Sequence, residues 1–581
     1  MGDDTRNLAL CVIVPLAAVA LALPIAEGGF VDDFSYIHMA KTLAQTGRFA
    51  YNGWPTAMLG LQVWWGAAAV WLCGFSFTLV RMSVLPFAAG AIAAVYLLAR
   101  RAGLAPQDGL FAALMTGLST PYLPLAPTFM SDVPALFCLL GCWYGFARAA
   151  EPDDPGTPPW RPCGWLVVGM LAGLVAGTIR QAFWLAPVTS AAVLCLRRGP
   201  VPAVRIAAAA CVLAGAATIL VGTAWFNRQP YAIPTRLPAV AGLDAGAVAA
   251  AAAKVVAEAA QKVLPAVLFC LPWVLVHAAA AASGRWGRWV LASAVAAMLC
   301  VFVGTLTGGG EPLLALLGGW WRPVGRPAHD ALVGVIRCGV LGVVVAVGMA
   351  VTEAACRRRD SADRPRLPAA IVMPLVFLVP YGCSLLTVAE TTGGIYPRYY
   401  LPFMPALAAW ILHHARPVPG AAAFAARRSV LGWALVGFFA LRGIAITHDE
   451  FADTRARLAA IAFLEGRGVP RDTITSKWSI DGWEQVERGG YVNDRRIRLP
   501  PGAYRAAVPH EYPDPDFRDR FPALRPDYVV AESRERVPGD VGDLPRFPYT
   551  AWLRPPHRRE IVIRVPPPRD GTNGVKAAGP R

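Results

Sequence analysis

Two carboxylates stand side by side in Val31-Asp32-Asp33-Phe34-Ser35-Tyr36, directly after the first long apolar segment of the chain. Asp32 and Asp33 precede Tyr36 by four and three residues, so in a helix starting there at least one acid shares a face with the phenol. A carboxylate partly buried beside a second acid can take a proton from a hydroxyl, which is general-base chemistry. The same residues also suit a helix N-terminus capped by aspartate, and one acid can serve each purpose. A third acid, Asp132 in Met130-Ser131-Asp132-Val133-Pro134, opens another apolar segment and reads equally as a cap with proline just inside the helix. Two arginines complete the set, Arg180 in Gly177-Thr178-Ile179-Arg180-Gln181 and Arg398 in Tyr396-Pro397-Arg398-Tyr399-Tyr400. Guanidinium is the preferred bidentate partner of phosphate, so these two are expected to hold an anionic group, with snorkelling to a membrane interface as the alternative.

The elements that must position these residues are membrane spans. With 581 residues, 56% of them hydrophobic and 16% charged, and a positive mean hydropathy, the chain lies far from ordinary soluble domains. Apolar runs of about 20 residues fall near 8–26, 78–99, 108–125, 132–148, 164–179, 181–196, 203–225, 263–282, 289–307, 331–354, 368–387, 400–415 and 429–447, giving about thirteen transmembrane helices. The first run reads as a retained span and not a signal peptide: it is long, has no clear small-x-small cleavage site and is followed at once by the acid pair. The net charge of +16 comes from arginines gathered in short loops, among them Arg100 with Arg101, Arg285 with Arg288, and Arg357 to Arg359, which is the positive-inside pattern and not a nucleic-acid surface. An odd number of spans puts the termini on opposite sides. With the N-terminus cytoplasmic, Asp32, Asp33, Asp132, Arg180, Arg398 and the polar C-terminal tail all face outward.

Between the acid pair and the second span, the Trp-rich stretch from Trp54 to Gly74 reads as a helix lying in the outer interface, and Ala239 to Ala259 as an Ala-rich surface helix in an outer loop. The chain therefore divides into a membrane domain over 1–447, whose first outer loop covers 27–77, a small outer α/β domain over 448–565, and a disordered tail over 566–581. In the α/β domain a helix pattern runs from Arg455 to Glu465, strands are expected over 473–476, 528–531 and 561–565, and Lys477, Trp478, Asp481 and Trp483 form either a site or a small core. All twelve cysteines lie between Cys11 and Cys383, which excludes a disulfide-stapled tail, and Cys138 with Cys142 reads as apolar packing and not as a metal site.

The order Asp32-Asp33-Phe-Ser-Tyr36, Met-Ser-Asp132-Val-Pro, Arg180 and Arg398-Tyr399-Tyr-Leu-Pro402 on one membrane face resembles the GT-C membrane glycosyltransferases, in particular the protein O-mannosyltransferase, aminoarabinose transferase and RgtA/B/C/D-like groups. The resemblance implies a GT-C-like α-helical polytopic fold, a polyprenyl-phosphate sugar as donor, transfer with inversion to an acceptor hydroxyl outside the plasma membrane, and a first-loop acid as base. Carried onto this sequence, Asp33 or Asp32 is the base, Asp132 assists in placing the acceptor or the sugar, and Arg180 and Arg398 hold the departing phosphate, with Tyr36 and Tyr399 as further substrate-binding residues. The acceptor is a protein, a lipid or a polysaccharide, and nucleic acid is not a partner. Relatives often carry Asp-Glu where this chain has Asp-Asp, which leaves open which acid is the base. Two adjacent acids with Asp132 also suit a divalent cation, although nothing in the sequence requires a metal. The competing class is a transporter or flippase of polyprenyl-linked or other lipids, which also uses buried acids and arginines but places them near the bilayer midplane and shows internal repeats.

Overall fold

The structure is a computed structural model, and it describes residues 2–151, 160–197, 202–234, 367–392, 396–414, 422–501, 503, 519–535, 539, 541, 543–553 and 557–565. Three of the expected spans, 263–282, 289–307 and 331–354, lie outside the described residues, as do the Ala-rich stretch 239–259 and the tail 566–581. The described chain is mostly helical. It runs α1 (Asp3–Leu21), α2 (Asp33–Thr46), α3 (Gly60–Cys73), α4 (Phe77–Met82), α5 (Leu85–Arg101), α6 (Pro106–Gly117), α7 (Asp132–Ala149), α8 (Trp160–Ile179), α9 (Leu185–Leu196), α10 (Pro202–Arg228), α11 (Ala369–Thr392), α12 (Phe403–His414) and α13 (Ala422–Glu465), then β1 (Ile474–Thr475), α14 (Trp478–Gly489), β2 (Tyr528–Glu532), β3 (Phe547–Thr550) and β4 (Arg558–Arg564).

Among the described residues, α1, the α4–α5 pair taken together, α8 and α10 are long and apolar enough to cross a membrane, and shorter apolar helices include α3 and α11. Two apolar runs depart from the expected spans. The run 108–125 is helical only to Gly117, because Pro121, Pro124 and Pro127 follow, and each removes an N–H and disfavours helix at the residue before it. The run 429–447 belongs to α13, a 44-residue helix that passes through position 448 unbroken. At about 1.5 Å per residue such a helix is roughly 66 Å long, about twice the hydrocarbon thickness.

Small residues set the approach that matters for the site. A Cβ on Gly145 of α7 would lie 2.5 Å from the backbone nitrogen of Gly169 in α8, so these two helices touch through their backbones. They run antiparallel, which brings the first residue of α7, Asp132, beside the residue that follows α8, Arg180. In α3, Trp64, Trp65 and Trp71 are exposed, as a lipid-facing belt requires.

The C-terminal strands form one sheet of order β1-β2-β4-β3, with β1 parallel to β2 and the other pairs antiparallel. The last turns of α13 cover it, Ala456, Ala460, Ile461 and Leu464 packing on Ile474, Val530, Ile561 and Ile563. A second apolar cluster joins this region to the first outer loop: Phe34 of α2 is wholly buried against Val486, Val492, Phe521 and Leu524, with Trp54, Trp478 and Trp483 around it. Backbone bonds sew the same seam, Val492 N–H donating to Asn52 at 2.8 Å, and Tyr231, beyond α10, donating to Arg498 at 2.7 Å.

Candidate active site

The acid pair splits into two unlike halves. Asp33, the first residue of α2, has no exposed side-chain surface, and its carboxylate accepts from Arg81 Nε at 2.7 Å and Nη2 at 3.0 Å and from the Phe30 N–H at 2.8 Å. The Asp33 N–H donates back to the Phe30 carbonyl, closing the turn reciprocally. Arg81 spends its remaining donors on the carbonyls of Ala26 and Gly28 and lies between the rings of Phe77 and Phe451. Glu27 holds α4 in place for this, accepting from Ser76 Oγ and from the N–H groups of Phe77 and Thr78. The whole clamp over-determines the turn, and it holds Val31 at φ 46°, a left-handed conformation that a β-branched residue reaches only under constraint.

Asp32 points the other way. It occupies the N-cap position of α2, yet its side chain caps nothing. Instead Oδ1 accepts from the Trp54 indole Nε1–H at 3.0 Å and Oδ2 from Arg398 Nη2 at 2.8 Å, and both partners of this ion pair keep 15% of their side-chain surface exposed. Asp132 likewise makes no capping bond and pairs with Arg180 Nη2 at 2.9 Å, while Arg180 Nε donates to Ser131 Oγ at 3.1 Å. The second oxygen of Asp132 is buried with no hydrogen-bond partner among the described residues. The cap readings of Asp32 and Asp132 thus give way to two acid–arginine pairs.

Tyr399 joins the pairs. Its ring lies 5.0 Å from the Arg180 guanidinium and 5.4 Å from that of Arg398, which also rests on Tyr396 at 4.6 Å. Tyr381 fixes the turn by donating to the Tyr399 carbonyl at 2.9 Å. Tyr36 is buried within the field of all four charges: burial pushes its phenol well up, Asp32 adds to this, and Arg398 and Arg180 oppose it. Burial works against the Arg398 guanidinium, but the Asp32 carboxylate outweighs it and keeps the group firmly protonated. Asp32, Tyr36, Asp132, Arg180, Arg398 and Tyr399 therefore form one constellation, and Asp33 stands outside it. A loop brings further order here: Leu59 N–H donates to the Ile179 carbonyl, and Gln181 bridges to Met58 and Thr56.

The acids do not converge as a cation site. Asp33 is consumed by Arg81, and Asp32 and Asp132 each carry a guanidinium already. No group of three or more His, Cys, Asp or Glu side chains suited to a metal occurs among the described residues. In the C-terminal cluster Lys477 bonds Glu450 and Asp453, Asp481 accepts from Thr475 and from the Ser476 N–H, Trp478 stacks on Trp54, and Trp483 packs on Phe75 and Phe77. Burial pushes the Asp453 carboxyl up, but Lys477 and Arg457 outweigh it and hold it below its ordinary value.

Sequence reasoning missed Arg81 and the part played by Trp54. Arg81 carried a signal, being an arginine near the outer end of an apolar run, the same feature that singles out Arg180 and Arg398. Trp54 read only as one more interfacial tryptophan.

No family profile matches the chain, and no curated protein does. Solved structures do. It is similar to ArnT from Cupriavidus metallidurans bound to undecaprenyl phosphate, at 14% identity over 97% of this chain and 100% of that one, with a TM-score of 0.37. It is also similar to the oligosaccharyltransferase of Archaeoglobus fulgidus in its apo form, at 14% identity over 90% of this chain and 64% of that one (TM-score 0.47). The archaeal oligosaccharyltransferase AglB from the same organism, in complex with an inhibitory peptide and a dolichol-phosphate, matches at 13% identity over 91% of this chain and 69% of that one (TM-score 0.39). These are GT-C membrane glycosyltransferases, the kind of protein that the sequence motifs resemble.

Proposed function

We propose that this protein transfers a sugar from a polyprenyl-phosphate donor to an acceptor hydroxyl at the outer face of the plasma membrane, with Asp32 as general base. One observation carries the reading: Asp32 is partly exposed and fixed through both carboxylate oxygens, within a constellation that holds two arginines at the ends of apolar segments. Asp33, wholly buried on Arg81, lacks the access that the task requires.

In this reading the acceptor O–H donates its proton to Asp32 as its oxygen forms a bond to the anomeric carbon. The bond from that carbon to the donor phosphate breaks on the opposite side, so a single displacement inverts the configuration. The leaving phosphate gains charge as the bond breaks. Arg180 and Arg398 are already oriented and largely buried, so they neutralise that charge with little reorganisation, an effect worth about 10²–10³ in rate per donor removed. The Asp132 oxygen without a partner and the buried Tyr36 phenol place the sugar or the acceptor. The topology belongs to the same proposal: thirteen spans, a cytoplasmic N-terminus, a membrane domain over 1–447 and an outer α/β domain over 448–565.

The test is transfer from radiolabelled polyprenyl-phosphate sugars by the purified protein in liposomes, with envelope extract as acceptor. Release of polyprenyl phosphate together with a labelled acceptor supports the proposal. Movement of labelled lipid across the bilayer without release of polyprenyl phosphate sinks it in favour of the transporter reading.

A further inference from the structure

We infer that Trp54 is a positioning residue through which the C-terminal segment sets the geometry of the Asp32 carboxylate. The inference rests on Asp32 being the reacting acid, and it adds a role for residues that lie more than 400 positions away in the chain.

Arg398 holds only Oδ2 of Asp32. A carboxylate held at one oxygen still swings about its terminal torsion, which is broad for aspartate. The bond from Trp54 Nε1–H to Oδ1 fixes the plane. The indole in turn owes its orientation to neighbours outside the first loop. Trp478, the first residue of α14, stacks on it at 5.2 Å with the rings 24° apart, the Arg520 guanidinium lies 5.6 Å from its centroid, and Phe34 meets it edge-on at 5.3 Å.

Helix α14 is itself seated firmly on the start of α2. Ser479 Oγ donates to the Gly29 carbonyl at 3.0 Å. A Cβ on Gly29 would collide with the Ser479 carbonyl and come within 2.7 Å of Phe34 Cβ, and one on Gly482 would reach 2.5 Å from the Phe34 ring. Only glycine permits this approach at both places. Farther along the two helices Lys41 and Glu487 pair at 2.6 Å. The C-terminal segment is therefore a wall of the acid's seat, and displacing α14 frees the indole that orients Asp32.

The experiment uses the full chain in nanodiscs and labels carboxylates with a carbodiimide and an amine nucleophile, read by peptide mass spectrometry. Asp33 serves as an internal reference that stays unlabelled while the fold is intact. Trp54→Phe keeps a ring but loses the N–H, and labelling of Asp32 is expected to rise several-fold. Trp478→Ala, which removes the ring stacked on Trp54, is expected to raise it as well. Trp483→Ala, which removes a ring from the same apolar cluster but one packed on Phe75 and Phe77, is expected to leave Asp32 as in the wild type. Wild-type labelling in Trp54→Phe overturns the inference. So does an equal rise in Trp483→Ala, which means general loosening. In the transfer assay Trp54→Phe lowers kcat at unchanged donor KM. If the labelling pattern holds and the wild type transfers no sugar, the positioning role stands and the proposed function falls.

Discussion

Asp33→Asn separates the two neighbouring acids by stability. Asp33 and Arg81 are both wholly buried, and the carboxylate also accepts from Phe30. Asparagine turns an N–H₂ toward the guanidinium and leaves the Arg81 charge without its counterion. Removing one partner of a buried ion pair costs about 3–5 kcal/mol, which at about 1.4 kcal/mol per decade is roughly two to three and a half decades in the folded-to-unfolded ratio. Asp32 and Arg398 keep 15% of their side-chain surface exposed, so Asp32→Asn is expected to cost less than Asp33→Asn. The assay is thermal unfolding with a thiol-reactive dye. Cys11, Cys138, Cys142 and Cys211 are buried and report on opening of the helices in a protein whose other eight cysteines are changed to serine. Asp33→Asn is expected to melt far below the wild type and Asp32→Asn between the two. Adding Arg81→Gln to Asp33→Asn removes the stranded charge and restores part of the loss. The reasoning is refuted if Asp33→Asn melts with the wild type, or if Asp32→Asn is the variant that collapses.

Two further outcomes are expected. Arg398→Lys keeps a charge but loses the planar group that spans Asp32 and two tyrosine rings, so transfer is expected to fall about 100-fold with the melting temperature little changed, read by steady-state kinetics beside a thermal scan. His38 gives a pH signature: burial, with a small contribution from Lys41 and against the pull of Glu487, lowers its imidazole to about 4. The unfolded chain takes up this proton near 6.5, so stability is full above that value and declines as pH falls toward about 4. His38→Gln is expected to flatten the melting temperature between those limits, and an unchanged slope counts against the assignment.

Much of the constellation was legible in the sequence because its residues broke a rule. Arg180 and Arg398 stand where the positive-inside pattern gives no reason for arginine, and Asp32 follows one apolar segment while Asp132 opens another on the face expected to be outer. Their partners were not legible. Arg81 meets Asp33 across 48 residues and Arg398 meets Asp32 across 366, and periodicity reports only local structure. For the same reason the division of labour between the acids stayed open until the fold turned one toward Arg81 and the other toward Trp54 and Arg398. Strands expected at 473–476, 528–531 and 561–565 coincide with β1, β2 and β4, whereas β3, Phe547–Thr550, carries two prolines nearby and too short an alternation to stand out. The boundary expected near 448 rests on a change of composition, and α13 runs through it; the helix stop was legible in Gly466, Gly468 and Pro470, directly after the Arg455 to Glu465 pattern, and α13 ends there.

The most direct measurement is single-turnover transfer from a radiolabelled polyprenyl-phosphate sugar in liposomes, comparing Asp32→Asn with the wild type at matched folding and donor binding. Loss of transfer by two decades or more, with donor affinity retained, is the predicted result, as expected for removal of a general base. Transfer at the wild-type rate in Asp32→Asn contradicts the account, because Asp32 is then not the base.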